Sequence, residues 1–244
     1  MTTSPFARPV SPADTPVPLR RLLVVGLLPL VTAACTTTRF GGGQTAVEQS
    51  WPQRAYYTEM YSEIDDGDEI IAALDVTKID RQYLRQQIDY PTDERFGTIV
   101  VDPYQRFLYL VQENGQAMRY GIGVAKAGLE YEGDGTIGRK ARWPNWAPTL
   151  AMIEREPERY RPLAAGMLGG IDNPLGARAL YLYKDGRDTL YRIHGTTEPW
   201  SIGKSVSSGC IRLFNHDIID LHQRVQPGSK VVVLGPDRAQ PGTV

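Results

Sequence analysis

The chain has 244 residues, enough for one globular domain with extensions. Lysine and arginine total 27 and aspartate and glutamate total 28, so the net charge at neutral pH is -1. This balance argues against a nucleic-acid partner, which would require a basic excess, while a hydrophobic content of 41% supports a sizeable core.

Residues 1–34 are predicted to be an export signal peptide. Arg20 and Arg21 precede a short apolar run at 22–31, and small residues then lead into Cys35. A basic segment, a short apolar segment and small residues before a break are typical of a bacterial export signal. The apolar run is too short to span a bilayer, which needs about 20 residues.

Cys35 follows two alanines, which favours a lipoprotein cleavage box in which the cysteine thiol is acylated. Thr32 stands where such boxes usually carry leucine, so ordinary signal-peptidase cleavage is the alternative. We therefore expect a periplasmic protein with a lipid anchor at Cys35. Lipidation would leave Cys210 as a single free thiol in an oxidising compartment, which indicates chemistry rather than a disulfide. A buried cysteine packed as a small hydrophobic residue is the other interpretation.

Residues 35–95 are predicted to be a tether and an N-terminal extension. The stretch up to about residue 50 is rich in threonine, glycine and polar residues and cannot bury a core. Residues 51–75 mix aromatic and acidic side chains, as in an extended arm that packs on a domain. Residues 78–88 fit either a helix or a short turn and strand.

Residues 96–236 are predicted to form the folded domain, followed by a polar tail at 237–244. Asn114-Gly115 and Asp185-Gly186 are expected to be hairpin turns. Glycine and proline predict loops at 128–148 and 166–176. Strands are predicted over 98–102, 106–111, 116–124, 179–183, 189–194 and 230–234.

One helix is predicted after Cys210, so that the domain is mostly β. Asn215 is expected to cap its N-terminus, and Asp217 lies in the first turn, where the helix dipole favours an acid. Ile218 and Leu221 share one apolar face of this helix.

His194 and Cys210 are the predicted catalytic pair. A neighbouring imidazole can accept the thiol proton and hold the thiolate as an ion pair. No acid stands beside His194 in the sequence, so the carbonyl of Gly195 is the expected group that orients the ring. Gly209 allows a substrate to approach the backbone N–H groups, which could form an oxyanion hole at Cys210.

Arg212 could bind a substrate carboxylate through two hydrogen bonds, the alternative being a surface salt bridge. His216 and His222 do not share a face of the predicted helix, so no metal site is predicted. Catalysis by a thiol needs no cofactor, and none is predicted. Trp143 and Trp146 could be core anchors or the wall of a groove, and their position in a proline-rich loop favours the groove.

Four runs of residues together resemble the L,D-transpeptidase catalytic domain, the YkuD-like family of bacterial cell-wall enzymes, in its periplasmic ErfK/YbiS-type branch. The runs are W-P-N-W-A-P-T at 143–149, N-P-L-G at 173–176, I-H-G-T-T at 193–197 and S-S-G-C-I-R-L at 207–213. The resemblance covers about residues 95–235. It implies a β-sandwich with one or two short helices and a groove that holds the catalytic cysteine.

The resemblance also implies an activity. The Cys210 thiolate would attack the carbonyl of the third-position diamino acid in a peptidoglycan tetrapeptide stem and release D-alanine. An amine of another stem would then give a 3→3 cross-link, and a lysine of an outer-membrane protein would give a protein anchored to the wall. In this scheme His194 is the base, Gly195 orients it, and Arg212 holds the substrate carboxylate.

The remaining residues expected to border the substrate are Ser207, Ser208, Gly209, Trp143, Trp146 and Asn173. Many family members carry histidine at the position of Ser208, so no proton transfer is assigned to position 208. One alternative is a hydrolase on the same site, an L,D-carboxypeptidase or an amidase that cuts protein–wall links. The other is a non-enzymatic wall-binding lipoprotein with an inert Cys210.

Overall fold

The computed structural model of the protein describes residues 53–129 and 131–236. The predicted signal peptide, Cys35, the tether up to residue 52 and the tail at 237–244 lie outside the described residues, so the interpretations made for them stay predictions. The described residues all belong to one compact unit. None of their helices is long and apolar enough to cross a membrane.

Strands make up most of the regular structure. Those of the described chain are β1 (Ile64–Asp65), β2 (Ile70–Ile71), β3 (Gln86–Asp89), β4 (Ile99–Asp102), β5 (Phe107–Val111), β6 (Gln116–Gly121), β7 (Val124–Ala125), β8 (Gly133–Arg142), β9 (Arg178–Lys184), β10 (Arg187–His194), β11 (Ser205–Ser207), β12 (Ile211–Arg212) and β13 (Lys230–Val233). Nine of them form one sheet in the order β12-β10-β9-β8-β13-β4-β5-β6-β3, while β1 pairs with β2 and β7 with β11. The predicted mostly-β fold is confirmed.

The predicted hairpins are also confirmed. Strands β4, β5 and β6 form an antiparallel meander, and β9 pairs antiparallel with β10. The turn residues Asn114 and Gly115 have φ angles of 59° and 68°, and Asp185 and Gly186 have 49° and 73°. A type I′ turn requires positive φ at both central positions, which is why these dipeptides mark hairpins in the sequence.

The predicted loop at 128–148 was wrong over residues 133–142, because these form β8, a ten-residue strand in the interior of the large sheet. It joins β9 to β13 by antiparallel pairing on both sides. Its glycines suggested a turn, but Gly138 is required by packing, since a Cβ atom there would collide with the ring of Tyr183 on β9. Glycine in a strand can thus mark a close approach rather than a break.

The described chain has four short helices: α1 (Arg54–Met60), α2 (Leu150–Arg155), α3 (Pro157–Tyr160) and α4 (Asn215–Arg224). Helix α4 is the predicted one, and Asp217 lies in its first turn as expected. The expected cap was wrong, because Phe214 occupies the N-cap position and makes no side-chain cap bond. The Asn215 side chain instead accepts a hydrogen bond of 3.0 Å from the N–H of Ala177, which ties α4 to the start of β9.

The large sheet curls around one hydrophobic core. Side chains of β5 and β6 belong to the same buried cluster as side chains of β9 and β10, although these strands are far apart in the strand order. The apolar face of α4 closes this cluster through Ile218, Leu221 and Val225. The two halves of the sheet therefore pack against each other in the manner of a sandwich.

The N-terminal extension (residues 53–95) is part of this fold. Strand β3 pairs antiparallel with β6 and forms an edge of the large sheet. Residues 78–88 adopt the turn-and-strand alternative, since a 3₁₀ turn over Arg81–Tyr83 precedes β3. Tyr61 and Leu84 are fully buried in a cluster that also contains Phe214, the residue before α4.

Candidate active site

The pairing of β10 with β12 positions the predicted catalytic residues. These strands are parallel, and their register places Ile193 opposite Ile211 and His194 opposite Arg212. Side chains alternate between the faces of a strand, and paired residues project to the same face. Ile193 and Ile211 point into the core. His194, Arg212 and, two positions before Arg212, Cys210 therefore project to the opposite face.

These three side chains line one cavity of about 260 Å³. Its far wall comes from the segment that contains α2 and α3, through residues such as Met152 and Tyr160. The predicted site residues that line this cavity are Cys210, His194, Arg212, Ser207, Ser208 and Trp146. The structure thus brings together six residues that the sequence singled out.

A second cavity, of about 310 Å³, also reaches Cys210. It shares Trp146 with the first cavity and continues towards β8 and β10, where Arg139 and Arg192 line it. Both guanidinium groups lie over the ring of Tyr181, at 3.6 Å and 4.2 Å from its centroid. Cys210 therefore lies where two cavities meet.

Three residues predicted to border the substrate, Trp143, Asn173 and Gly209, line neither of these cavities. Trp143 donates a hydrogen bond of 2.9 Å from Nε1 to Asp66 of the N-terminal extension. Asn173 is buried, and its side-chain oxygen accepts a bond of 2.9 Å from the N–H of Leu175. Leu175 does line both cavities, so Asn173 shapes the site through the loop it holds.

Gly195 and Gly209 act through the backbone. The carbonyl oxygen of Gly195 lies 2.6 Å from Nδ1 of His194, as the sequence led us to expect. With Nδ1–H as the donor in this bond, Nε2 is the ring nitrogen that can accept a proton. The backbone of Leu175 makes a further hydrogen bond with the ring. Gly209 has a φ of 142°, which a residue with a side chain rarely adopts, and it allows the tight turn just before Cys210.

Ser207 and Ser208 hold the turn before the thiol from two sides. Ser207 Oγ donates a hydrogen bond of 2.6 Å to the carbonyl of Cys210, and the N–H of Gly209 donates to the same hydroxyl at 3.3 Å. Ser208 Oγ lies 3.0 Å from the hydroxyl of Tyr160 on α3. Ser208 therefore ties the cysteine loop to the segment that covers it.

Burial controls the ionisation of the catalytic pair. It lowers the pKa of His194 to about 3, and the nearby Arg212 guanidinium adds to this effect, while hydrogen bonding to Gly195 opposes it. Burial also raises the pKa of the Cys210 thiol, against the lowering effect of a backbone hydrogen bond from Arg192. Both pKa shifts favour the neutral forms. The resting thiolate–imidazolium pair expected from the sequence is therefore disfavoured, and the thiol proton has to leave as the sulfur attacks.

Arg212 is engaged by an acid that the sequence analysis missed. Its Nη1 donates to Oε2 of Glu198 at 2.6 Å, and both side chains line the first cavity. Glu198 comes only four residues after His194 in the sequence, so its position between the two motifs was the available signal. Tyr160 was also missed, because the helix that carries it falls in a segment without clear periodicity.

Among residues 53–129 and 131–236, no group of three or more histidine, cysteine, aspartate or glutamate side chains is arranged to hold a metal ion.

The chain can now be assigned to a family. The family model described as YkuD, the L,D-transpeptidase catalytic domain, matches residues 97–233. The protein therefore belongs to the L,D-transpeptidase catalytic domain family, and the predicted resemblance is confirmed.

Two curated relatives come from Escherichia coli K12. The probable L,D-transpeptidase ErfK/SrfK is 36% identical over 151 residues, which are 61% of this chain and 47% of the relative. The probable L,D-transpeptidase YbiS is 34% identical over 148 residues, which are 60% of this chain and 47% of the relative. The chain spans about half the length of the curated relatives it matches.

A solved structure from Brucella melitensis is 49% identical and covers 66% of this chain and 99% of its own, with a TM-score of 0.45. That protein is described as a probable carnitine operon oxidoreductase, CaiA. This description concerns the Brucella protein.

Proposed function

We propose that the protein is a peptidoglycan L,D-transpeptidase with Cys210 as its nucleophile. One observation carries the proposal: in a chain that belongs to this family, the register of β10 and β12 directs Cys210, His194 and Arg212 into one cavity. The substrate is a peptidoglycan stem peptide, and the reaction is an acyl transfer through a thioester.

The first half-reaction acylates the enzyme. The thiol proton of Cys210 moves to Nε2 of His194 while the sulfur attacks the carbonyl carbon of the third-position diamino acid. The tetrahedral oxyanion receives hydrogen bonds from backbone N–H groups near Cys210. Collapse breaks the bond to the terminal D-alanine, whose amine takes the proton from His194. A thioester on Cys210 and free D-alanine result.

The second half-reaction transfers the acyl group to an amine. The amine attacks the thioester carbonyl, His194 accepts the proton that the amine loses, and the same proton returns to the sulfur as the thiol leaves. A side-chain amine of another stem gives a 3→3 cross-link. A lysine of an outer-membrane protein would give a wall-anchored protein.

The pair of cavities supports transfer to a second peptide rather than to water. A transpeptidase has to hold a donor and an acceptor on either side of the acylated sulfur, whereas a carboxypeptidase needs space for one stem only. Cys210 lies between cavities of about 260 Å³ and 310 Å³, each large enough to take part of a peptide.

The protein would act in the periplasm, held to a membrane by a lipid on Cys35. A tether of about 20 residues behind that anchor would raise the local concentration of the enzyme near the wall. Incorporation of a fatty-acid analogue in cells, and its loss in Cys35→Ala, would test the anchor separately from the activity.

The purified protein should be incubated with disaccharide-tetrapeptide and its products followed by mass spectrometry, with Cys210→Ala alongside. The proposal predicts a cross-linked dimer and free D-alanine, both absent with the variant. Formation of tripeptide without dimer, in the presence of excess acceptor amine, would contradict the transpeptidase and support the hydrolase. The absence of turnover would favour the wall-binding protein.

A further inference from the structure

The first cavity contains an ion pair in which the proposed reaction gives a role to the arginine but none to the acid. Arg212 and Glu198 meet through Nη1 and Oε2, at 2.6 Å. Both side chains line the cavity that also contains Cys210 and His194. If the site needed only to bind a carboxylate, an acid beside the arginine would weaken that binding by repelling the ligand. The acid therefore calls for a ligand that carries a positive charge as well.

Glu198 is held firmly in place. Its N–H donates to Oγ1 of Thr196 at 3.0 Å, and its carbonyl oxygen accepts bonds of 2.9 Å and 2.7 Å from the N–H and the hydroxyl of Ser201. Ser201 is itself fully buried. The carboxylate therefore projects into the cavity from a fixed backbone, which lowers the entropic cost of binding through it.

The ion pair leaves binding capacity on both partners. The bond between them uses one nitrogen of the guanidinium and one oxygen of the carboxylate. A guanidinium has five N–H donors and a carboxylate has two acceptor oxygens. The Glu198 side chain is 37% exposed and that of Arg212 is 14% exposed, so a ligand in the cavity can reach both.

We propose that Arg212 and Glu198 together form a subsite for a zwitterionic α-amino acid head group. The carboxylate of the head group binds Arg212 and its ammonium binds Glu198, so that four charges alternate in sign. The proposal rests on the proposed function and deepens it. It assigns the head group to the donor stem, whose third residue would end in a free amine and a free carboxylate on one carbon.

The subsite makes Glu198 a specificity residue. A donor whose terminal amine is acetylated loses the bond to Glu198 and leaves that acid without its ligand. A donor whose carboxylate is amidated loses the bond to Arg212. A donor with lysine at the third position keeps the ammonium but lacks the carboxylate. Since hydrogen bonds between charged partners are among the strong ones, each change should lower acylation by about tenfold or more.

The test is the acylation half-reaction, measured without an acceptor by the intact mass of the protein. Four donors are compared on one enzyme preparation: the zwitterionic tetrapeptide, its N-acetyl form, its amidated form and the lysine form. The enzymes are the wild type, Glu198→Gln and, as a matched loss of one acid, Glu113→Gln. Glu113 is exposed in the turn between β5 and β6. Because each result is a ratio of two donors on one sample, the fraction of folded enzyme cancels.

We expect the wild type and Glu113→Gln to prefer the zwitterionic donor to the N-acetyl donor by about tenfold or more, as for other charge-assisted bonds. In Glu198→Gln this preference should fall to near unity, while the discrimination against the amidated donor remains. Equal rates with all four donors would overturn the subsite but leave the proposed function standing. Unchanged preferences in Glu198→Gln would also overturn it. Failure of every donor to acylate Cys210 would refute the proposed function, and the subsite with it.

Discussion

In the active-site loop (residues 194–212), the side-chain bonds of Ser207 and Arg212 join residues close in sequence, whereas the N-terminal extension is bonded to residues far away in sequence. In the loop, Ser207 bonds the carbonyl of Cys210, three residues away, and Arg212 bonds Glu198, fourteen residues away. These side-chain bonds lie within the loop, while its backbone is paired with β7 and with Gly123 outside it.

The extension is held by long-range bonds. The hydroxyl of Tyr61 donates to the carboxylate of Asp217, 156 residues away, at 2.9 Å. Asp66 accepts two bonds of 2.7 Å from Arg178, 112 residues away. Such contacts exist only once the whole sheet has formed, so their loss should lower the stability of the fold. Loss of the loop contacts should instead lower the activity.

The two long-range bonds respond to pH in opposite ways. Hydrogen bonds from Arg178 are the largest cause that lowers the pKa of Asp66 below 3.8. Asp217 is fully buried, and burial raises its pKa to about 7 although Arg85 and Tyr61 oppose this. A carboxylate bonded through both oxygens to one guanidinium stays charged, whereas one that faces a tyrosine hydroxyl with its nearest cation at 3.9 Å tends to take up a proton.

The largest effect is expected when the loop loses its base. His194→Gln should lower the rate of acylation by about 10²–10⁴-fold, the usual contribution of a general base, and leave the fold intact. Single-turnover acylation and thermal unfolding measure the two quantities. His222→Gln, at a half-buried histidine of α4 that does not line the cavity, is the control. A variant that acylates at the wild-type rate would remove His194 from the mechanism.

The next effect concerns the extension. Asp66→Asn leaves the guanidinium of Arg178, whose side chain is 6% exposed, without its charged partner. Breaking a buried ion pair by removing one member costs about 3–5 kcal/mol, so the free energy of unfolding should fall by about 3 kcal/mol. Urea unfolding at pH 7 measures it, with the exposed neighbour Asp68→Asn as control. Equal losses in both variants would show that the ion pair does not hold the extension.

A third experiment separates the two acids by pH. The pKa of Asp217 is about 7 in the folded protein, above its ordinary value of 3.8. The folded state therefore binds the proton more tightly, and the stability this provides is complete below about pH 4 and is lost as the pH rises through 7. Relative to Asp217→Asn, the wild type should become less stable between pH 4 and pH 8. If the free energies of unfolding of the wild type and Asp217→Asn changed equally with pH, the raised pKa of Asp217 would be contradicted.

The smallest effect is a shift in thiol titration. Because burial raises the pKa of Cys210, the rate of its alkylation by iodoacetamide should reach half-maximum at a higher pH than for a cysteine peptide. The pH of half-maximum does not depend on how accessible the thiol is, so slow access cannot imitate the result. A half-maximum at a lower pH than for the peptide would instead support a resting thiolate–imidazolium pair.

Features held by contacts between residues close in sequence could be predicted, and features that depend on distant partners could not. The hairpin dipeptides and the run around His194 and Cys210 encode local geometry, and the structure has both the hairpins and the shared cavity. Strand β8 was missed because Gly135 and Gly138 serve packing against Tyr183, a partner more than 40 residues away. Glu198 was missed because an acid in a loop has no periodic signal, and its partner is known only from the folded loop. Asp66 was missed for the same reason.

The central claim is that Cys210 becomes acylated by a stem tetrapeptide with loss of D-alanine. The most direct measurement is the intact mass of the protein after brief incubation with tetrapeptide and acid quenching, followed by a peptide map. The account predicts an added mass equal to the tetrapeptide minus D-alanine, located on Cys210 and absent from His194→Gln on the same timescale. An unmodified Cys210 while D-alanine is released, or an adduct on another residue, would contradict it.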